Sequence, residues 1–187
     1  MPTTSSSLQR KPFWAPVGLA VASAFGAALF MALLAWFLVT VKSTTVIVVR
    51  EAEMASSGAT EPALSPAGQS RAELLARMFG DARLKDHVDA IFVSPTQGTQ
   101  ATAQPLAARL GTTPVVVSQD DAHALARRVL RGHRGGRILV VARGNAARDL
   151  AAALSGISDI PLATDFGTLY IVTVPRIGRA NLLSVEY

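Results

Sequence analysis

The stretch Thr44–Glu53, which reads TTVIVVREAE, decides the fold of this chain. Its first six residues are all β-branched, and the run is too short for a helix, so it predicts a strand that is buried on both faces. Charged residues follow at once, at Arg50, Glu51 and Glu53. Such strands are typical of α/β proteins, whose functional sites gather at the C-terminal ends of parallel strands.

The residues after this strand predict helices that alternate with further strands. Pro66 suits the first turn of a helix that runs to Phe79, because its apolar side chains recur at helical spacing. Strands are predicted at 90–93, 115–117, 138–141, 169–174 and 182–185, and helices at 99–110, from Asp120/Asp121 to about Leu130, and at 146–154. This alternation predicts an α/β three-layer sandwich with a mostly parallel central sheet.

An uncharged apolar segment, residues 12–41, precedes the first strand. It exceeds the roughly 20 residues that a helix needs to span a bilayer. A cleaved signal peptide is the alternative, but the segment is about twice as long as the apolar region of such a peptide. We therefore expect a polar tail at 1–11, a transmembrane helix at 12–41 and one domain at 44–187.

Basic residues on both sides of this segment make the orientation signal small. Arg10 and Lys11 precede it, and Lys42 and Arg50 follow it. We expect a single-pass membrane protein with a cytoplasmic N-terminus and a domain outside, in the periplasm if the membrane is a bacterial inner membrane. The chain has no cysteine, which excludes disulfides and thiolate metal sites.

Small residues recur every four positions along the apolar segment, at Gly18, Ala22 and Gly26. A face of this kind lets transmembrane helices approach closely, so we expect it to contact an integral membrane protein. A second such face lies on roughly the opposite side and consists of Ala20, Ala24 and Ala28.

The formal charge of +5 raises the question of nucleic-acid binding. Much of the basic character lies in one cluster, made up of Arg127, Arg128, Arg131, Arg134 and Arg137 with His133. No aromatic residues interleave with these arginines, so we expect no nucleic-acid partner. A solvated helix face, or a contact with anionic lipid or protein, suits the cluster better.

Three strand-to-loop junctions carry a family resemblance. They are Arg50-Glu51-Ala52-Glu53, Ser94-Pro95-Thr96-Gln97-Gly98 and Ala142-Arg143-Gly144-Asn145. In this order they resemble the histidine phosphatase superfamily, which includes the phosphoglycerate mutases. In that family the junctions read Arg-His-Gly-Glu, Ser-Pro-x-x-Arg-Ala-x-Gln-Thr-Ala and Ser-His-Gly. Leu64–Gly68 (LSPAG) resembles the family's Leu-Thr-x-x-Gly element, and Thr102-Ala103 matches the end of the second motif.

The resemblance implies a phosphate pocket that lacks its catalytic histidines. Glu51 stands at the nucleophile position and Arg143 at that of the second histidine. Gly98 stands where the family has an arginine, whereas Arg50 and Glu53 keep their residue types. We expect Glu51 and Arg143 to form an ion pair in this pocket, with two solvated charges that never meet as the alternative.

Other candidate residues have simpler roles. We interpret His87, His123 and His133 as surface or capping histidines, and Asp120/Asp121 as a helix cap rather than a metal site. We expect no metal and no cofactor.

Taken together, these features favour a catalytically inactive pseudoenzyme that serves as an accessory or assembly subunit of a membrane complex. The alternatives are a membrane-anchored phosphatase with altered chemistry and a protein that binds a phosphate ester or another anion without hydrolysing it.

Overall fold

The computed structural model describes residues 15–40, 42–55, 63–81, 87–160 and 167–187. The chain divides into two units, Met1–Val41 and Lys42–Tyr187. The predicted tail at 1–11 lies outside the described residues.

One helix, α1 (Ala15–Thr40), makes up the described part of the first unit. Its segment Ala20–Phe37 has a mean hydropathy of 2.0, and no part of that segment is buried inside the protein. The predicted apolar helix is therefore present and is long enough to cross a bilayer.

The second unit follows the predicted alternation of helices and strands. Its elements are β1 (Thr44–Arg50), α2 (Pro66–Phe79), β2 (Ala90–Val93), α3 (Gln97–Leu110), β3 (Val115–Val116), α4 (Ala122–Gly132), β4 (Arg137–Ala142), α5 (Ala146–Ser155), β5 (Thr168–Val174) and β6 (Asn181–Glu186). The bounds of α2 and β2 are those predicted, and the other elements differ from their predicted ends by one or two residues.

The strands form one sheet in the order β3-β2-β4-β1-β5-β6. β3, β2, β4 and β1 run parallel to one another, whereas β5 pairs in antiparallel fashion with both β1 and β6. The prediction of a mostly parallel sheet is confirmed. β1 lies inside the sheet, between β4 and β5.

The side chains of β1 point alternately into two hydrophobic cores. Val46 and Val48 pack in a core that includes residues of α4 and α5. Ile47 and Val49 pack in a second core with residues of α2 and α3. Helices therefore cover both faces of the sheet, which confirms the three-layer architecture.

Local signals end the helices where the sequence predicts. The Asp121 carboxylate accepts a hydrogen bond of 2.9 Å from the Ala124 amide and caps α4. Hydrogen bonds from backbone amides lower the pKa of Asp121. Gly111 and Gly156 close α3 and α5 in the left-handed conformation, with φ of 62° and 73°. Glycine adopts this conformation without the steric penalty of other residues.

The loop after β1 is held against the start of α2. The Ser65 side chain accepts a hydrogen bond of 3.0 Å from the Gly68 amide, and the Ser65 amide donates one of 2.9 Å to the Glu53 carbonyl. A Cβ atom at Gly68 would collide with that same Glu53 carbonyl oxygen. Backbone cannot move aside as a flexible side chain can, so this close approach requires glycine.

We therefore predict that Gly68→Ala destabilises the domain by about 1–3 kcal/mol, as overpacking does elsewhere. Thermal unfolding followed by circular dichroism would measure the change. Gly132→Ala is the matched control, since a Cβ there meets no atom within 4 Å. Equal unfolding temperatures for both variants would contradict this explanation.

Candidate functional site

Three strand ends meet at one edge of the sheet, because β2, β4 and β1 are parallel neighbours. Arg50 pairs with Ala142 in register, and Val93 pairs with Val141. The Glu51 amide donates a hydrogen bond of 2.9 Å to the Ala142 carbonyl. The three junctions that carry the family resemblance therefore lie together at this carboxyl edge.

Thr102, which is fully buried, connects two of these junctions. Its hydroxyl accepts a hydrogen bond of 3.0 Å from the Ala52 amide and donates one of 2.7 Å to the Gly98 carbonyl. The loop after β1 is thereby fastened to the first turns of α3.

A network of hydrogen bonds between side-chain hydroxyl groups stabilises the turn between β2 and α3. The Ser94 hydroxyl lies 2.8 Å from the Thr96 hydroxyl and 2.9 Å from that of Thr99. Ser94 and Thr99 are buried, and the Thr99 hydroxyl also donates a hydrogen bond of 3.0 Å to the Ser94 carbonyl. The backbone geometry of the site is therefore held by polar contacts.

The Glu51 carboxylate lies against Gly98, the second residue of α3. A Cβ atom at Gly98 would be 2.7 Å from Glu51 Oε2 and 3.0 Å from Met54 Sδ. A larger residue at position 98 would therefore displace Glu51. The first turn of a helix favours a negative charge, and here the protein places its own carboxylate there.

Burial raises the pKa of Glu51, while the positive charges of Arg143 and Arg50 act in the opposite direction. The desolvation cost of the carboxylate thus outweighs the attraction of the two arginines. Glu51 is only partly buried, so water still reaches it.

The expected direct ion pair between Glu51 and Arg143 is wrong. Their charges interact, but the salt bridges within 4.0 Å among the described residues join other partners. The physical reason is that the Arg143 side chain is exposed and lines an open cleft, whereas the Glu51 carboxylate lies against Gly98 in the first turn of α3.

Glu53 lies in a different cluster from Arg143. Its Oε1 atom pairs with Arg71 Nε at 2.9 Å, and its Oε2 atom is buried without a hydrogen bond. Burial, which outweighs the opposing effect of Arg71, raises the pKa of nearby Tyr187 to about 12. Arg71 and Tyr187 belong to no recognised motif, so the sequence alone did not identify them as part of this cluster.

Arg143 borders a cleft of about 410 Å³ at the carboxyl edge. The lining residues are Ser94, Pro95, Thr96, Ser118, Gln119, Asp120, Arg143, Gly144 and Ala146. Gln119 joins two walls of it, since its Nε2 donates to the Val141 carbonyl at 2.9 Å and its Oε1 accepts from the Arg143 amide at 3.3 Å. Gln119 belongs to no recognised motif. In the sequence, only the polar run 118–121 after β3 pointed to a functional role for it.

Arg50 faces a separate small cavity of about 10 Å³, which it lines with Arg148 and Tyr170 among others. Arg50 lines this small cavity and Arg143 the larger cleft, Gly144 lines both, and the charges of both arginines act on Glu51.

Two of the histidines have structural neighbours elsewhere. His87 Nε2 lies 3.6 Å from Asp89 Oδ1, and the His133 ring packs edge-on against Phe92 with centroids 5.5 Å apart. In the part of the chain that the structure describes, no three or more histidine, aspartate or glutamate side chains converge as metal ligands. Asp120 does not cap α4, since its carboxylate accepts a hydrogen bond of 2.6 Å from Ser118.

Residues 46–122 match the family model of the histidine phosphatase superfamily, branch 1. This match covers β1 to the start of α4 and so includes the first two of the three junctions. It supports the resemblance that the motifs carry. None of the curated proteins compared with this chain matches it significantly.

Solved structures share the fold at low sequence identity. The protein histidine phosphatase SixA, complexed with tungstate, is 15% identical with a TM-score of 0.63, and the alignment covers 76% of this chain and 96% of that one. A phosphoserine phosphatase mutant from Entamoeba histolytica, bound to phosphoserine, is 15% identical with a TM-score of 0.57 and coverages of 76% and 96%. A mycobacterial glucosyl-3-phosphoglycerate phosphatase is 15% identical with a TM-score of 0.56 and coverages of 75% and 97%. The domain therefore has a histidine-phosphatase-like fold.

We predict that Glu51→Gln raises the unfolding temperature of the full chain in detergent at neutral pH, on the order of 1–3 °C. The raised pKa means that the folded state binds the proton more tightly than the unfolded state. The wild type therefore loses stability as the pH rises from about 4.5 through the raised pKa, and the uncharged variant lacks this loss.

Thermal melts at several pH values measure this difference, which should shrink as the pH falls below about 4.5, where Glu51 becomes protonated in both states. Glu186→Gln, on an exposed position of β6, is the control. A lower unfolding temperature for Glu51→Gln at neutral pH would show that the attraction to the arginines dominates.

Proposed function

We propose that this chain is a catalytically inactive relative of the histidine phosphatases that serves as a single-pass accessory or assembly subunit of a membrane complex. The observation that supports this most directly is the position of the Glu51 carboxylate, which lies on the first turn of α3 against Gly98.

Glu51 and Gly98 oppose phosphate binding in two ways. A carboxylate at this place repels a phosphate, by about 4 kcal/mol for unit charges 4 Å apart near a protein surface. Glycine at position 98 offers no guanidinium to hold phosphate oxygens through charged hydrogen bonds. The resemblance also places Glu51 where the family has its nucleophilic histidine, so the family's covalent step lacks its acceptor.

The scaffold around the site nevertheless keeps its hydrogen bonds, including both bonds of the buried Thr102 hydroxyl. A fold can lose a chemical activity while its surface remains available for binding, because function lies in sites rather than in folds. We therefore assign the domain a binding role.

The helix α1 supports the membrane part of the proposal. Cβ atoms added at Gly18 and Gly26 would meet no atom within 4 Å, so the packing of this chain does not require glycine there. A neighbouring transmembrane helix would require small residues on this face, which also includes Ala22. The proposal includes a cytoplasmic N-terminus and a domain on the other side of the membrane, an orientation for which the signal is small because Arg10 and Lys11 before the helix are matched by Lys42 and Arg50 after it.

A second candidate function is the binding of an anion without hydrolysis. The cleft of about 410 Å³ beside Arg143 favours it, since hydroxyl groups and one guanidinium border the same space, and the one carboxylate there, that of Asp120, accepts a hydrogen bond from Ser118. A residual phosphatase that uses Arg50 and Arg143 is the third candidate function.

We predict that the purified full chain does not hydrolyse a generic aryl phosphate, and that phosphate or sulfate does not raise its unfolding temperature. Turnover that disappears in Arg50→Ala would establish an enzyme instead. Thermal stabilisation by these anions that is lost in Arg143→Gln, without turnover, would establish the anion-binding function.

We also predict that Ala22→Leu and Gly26→Leu weaken association with the partner, because a bulky side chain keeps a neighbouring helix at a distance. Gentle detergent extraction and identification of the co-purifying proteins measures this. Gly26→Ala is the matched control, as it keeps the face small. Unchanged association in both leucine variants would show that α1 only anchors the domain and does not contact the partner.

A further inference from the structure

We propose that the edge of the domain opposite the candidate site docks onto an anionic membrane surface. This docking edge consists of Lys42, the end of α4 with the turn 131–136, and the hairpin turn 175–180 between β5 and β6. The inference rests on the membrane anchoring proposed above, and it adds a lipid-binding surface on the soluble domain.

The chain between α1 and β1 is short. Thr40 ends the helix and Thr44 begins β1. Four residues of extended chain span at most about 14 Å. If α1 crosses the bilayer, the first residues of β1 must therefore lie close to the membrane surface.

Both turns of the docking edge lie beside the start of β1. The Gly135 amide donates a hydrogen bond of 2.9 Å to the Thr44 hydroxyl, and the Thr45 amide donates one of 2.9 Å to the Gly136 carbonyl. On the other side, Thr44 pairs with Val174, the last residue of β5 before the hairpin turn. A Cβ atom at Gly135 would be 3.0 Å from the Lys42 Cβ atom.

The docking edge carries more positive than negative charge. Its exposed cations are Lys42, Arg131, Arg134, Arg176 and Arg179. Asp89, at the start of β2, is also exposed, but its carboxylate is engaged by a hydrogen bond of 2.6 Å from the Arg137 amide. Asp81 and Asp159, which follow α2 and α5, are the other acidic residues described near this edge. Basic residues near a bilayer are attracted to anionic lipid head groups.

The hairpin turn adds an apolar contact. Ile177 lies at its tip between Arg176 and Arg179 and is 68% exposed. Gly178, with φ of 108°, allows the tight turn that presents it. An aliphatic side chain flanked by arginines suits the membrane interface, where the apolar group enters the acyl boundary and the guanidinium groups meet phosphates.

Docking through this edge would also orient the candidate site. β1 runs from Thr44 at the docking edge to Arg50 at the carboxyl edge. Seven residues of strand extend about 20 Å. The cleft beside Arg143 would then open away from the bilayer, toward soluble partners or ligands.

Hydrogen–deuterium exchange of the full chain tests the proposal, with the protein in nanodiscs of phosphatidylcholine alone or mixed with phosphatidylglycerol. We expect the amides of 176–180 to exchange several-fold more slowly in the anionic discs. Ile177→Ser and the pair Arg176→Gln/Arg179→Gln should each remove this protection. The pair Arg143→Gln/Arg148→Gln takes the same charge from the carboxyl edge and should leave it unchanged.

Hydrogen–deuterium exchange of the α1 amides distinguishes failure of the docking proposal from failure of the proposed membrane anchor. Strong protection of 20–37 in both disc types, with 176–180 exchanging equally in the two, would overturn the docking while leaving the anchor in place. Rapid exchange throughout 20–37 would overturn the anchor itself, and the docking with it.

Discussion

The arrangement of this domain depends on the burial of the central residues of β1 between two neighbouring strands and two helical layers. Residues Val46, Val48 and Val49 have no solvent exposure, and Ile47 has 2%. A strand in this position can satisfy its backbone only through β4 on one side and β5 on the other. Its two faces require separate sets of helices, which produces the three layers.

This burial also explains why the two ends of β1 differ so strongly. The strand can carry charge only at or beyond its ends, since a charge in its middle would lie in one of the two cores. At one end the chain enters from Lys42, and at the other it leaves through Arg50 and Glu51. The sheet thereby separates the proposed lipid-binding surface from the candidate site by the length of one strand.

At the carboxyl edge, hydrogen bonds hold the turns that carry the family resemblance, although the charges there differ from those of the family motif. The Thr102 and Ser94 hydroxyl networks still hold the turns. Glu51 and Gly98 depend on each other, because the carboxylate fills the space that a side chain at position 98 would need. Two substitutions that look unrelated in the sequence therefore form one local arrangement, in which an internal carboxylate lies where the family resemblance implies an external phosphate.

The sequence by itself determined the apolar helix, the order and type of the elements and several helix ends, because these depend on periodicity and on local caps such as Asp121 and Gly111. It also identified the three junctions, since parallel strands end at a common edge. Only the tertiary structure decided which charges meet. Glu51 lies on α3 rather than against Arg143, Glu53 pairs with Arg71, and the hairpin with Ile177 lies beside the start of β1. These outcomes depend on side-chain contacts between segments that are distant in sequence, and local patterns carry no information about them.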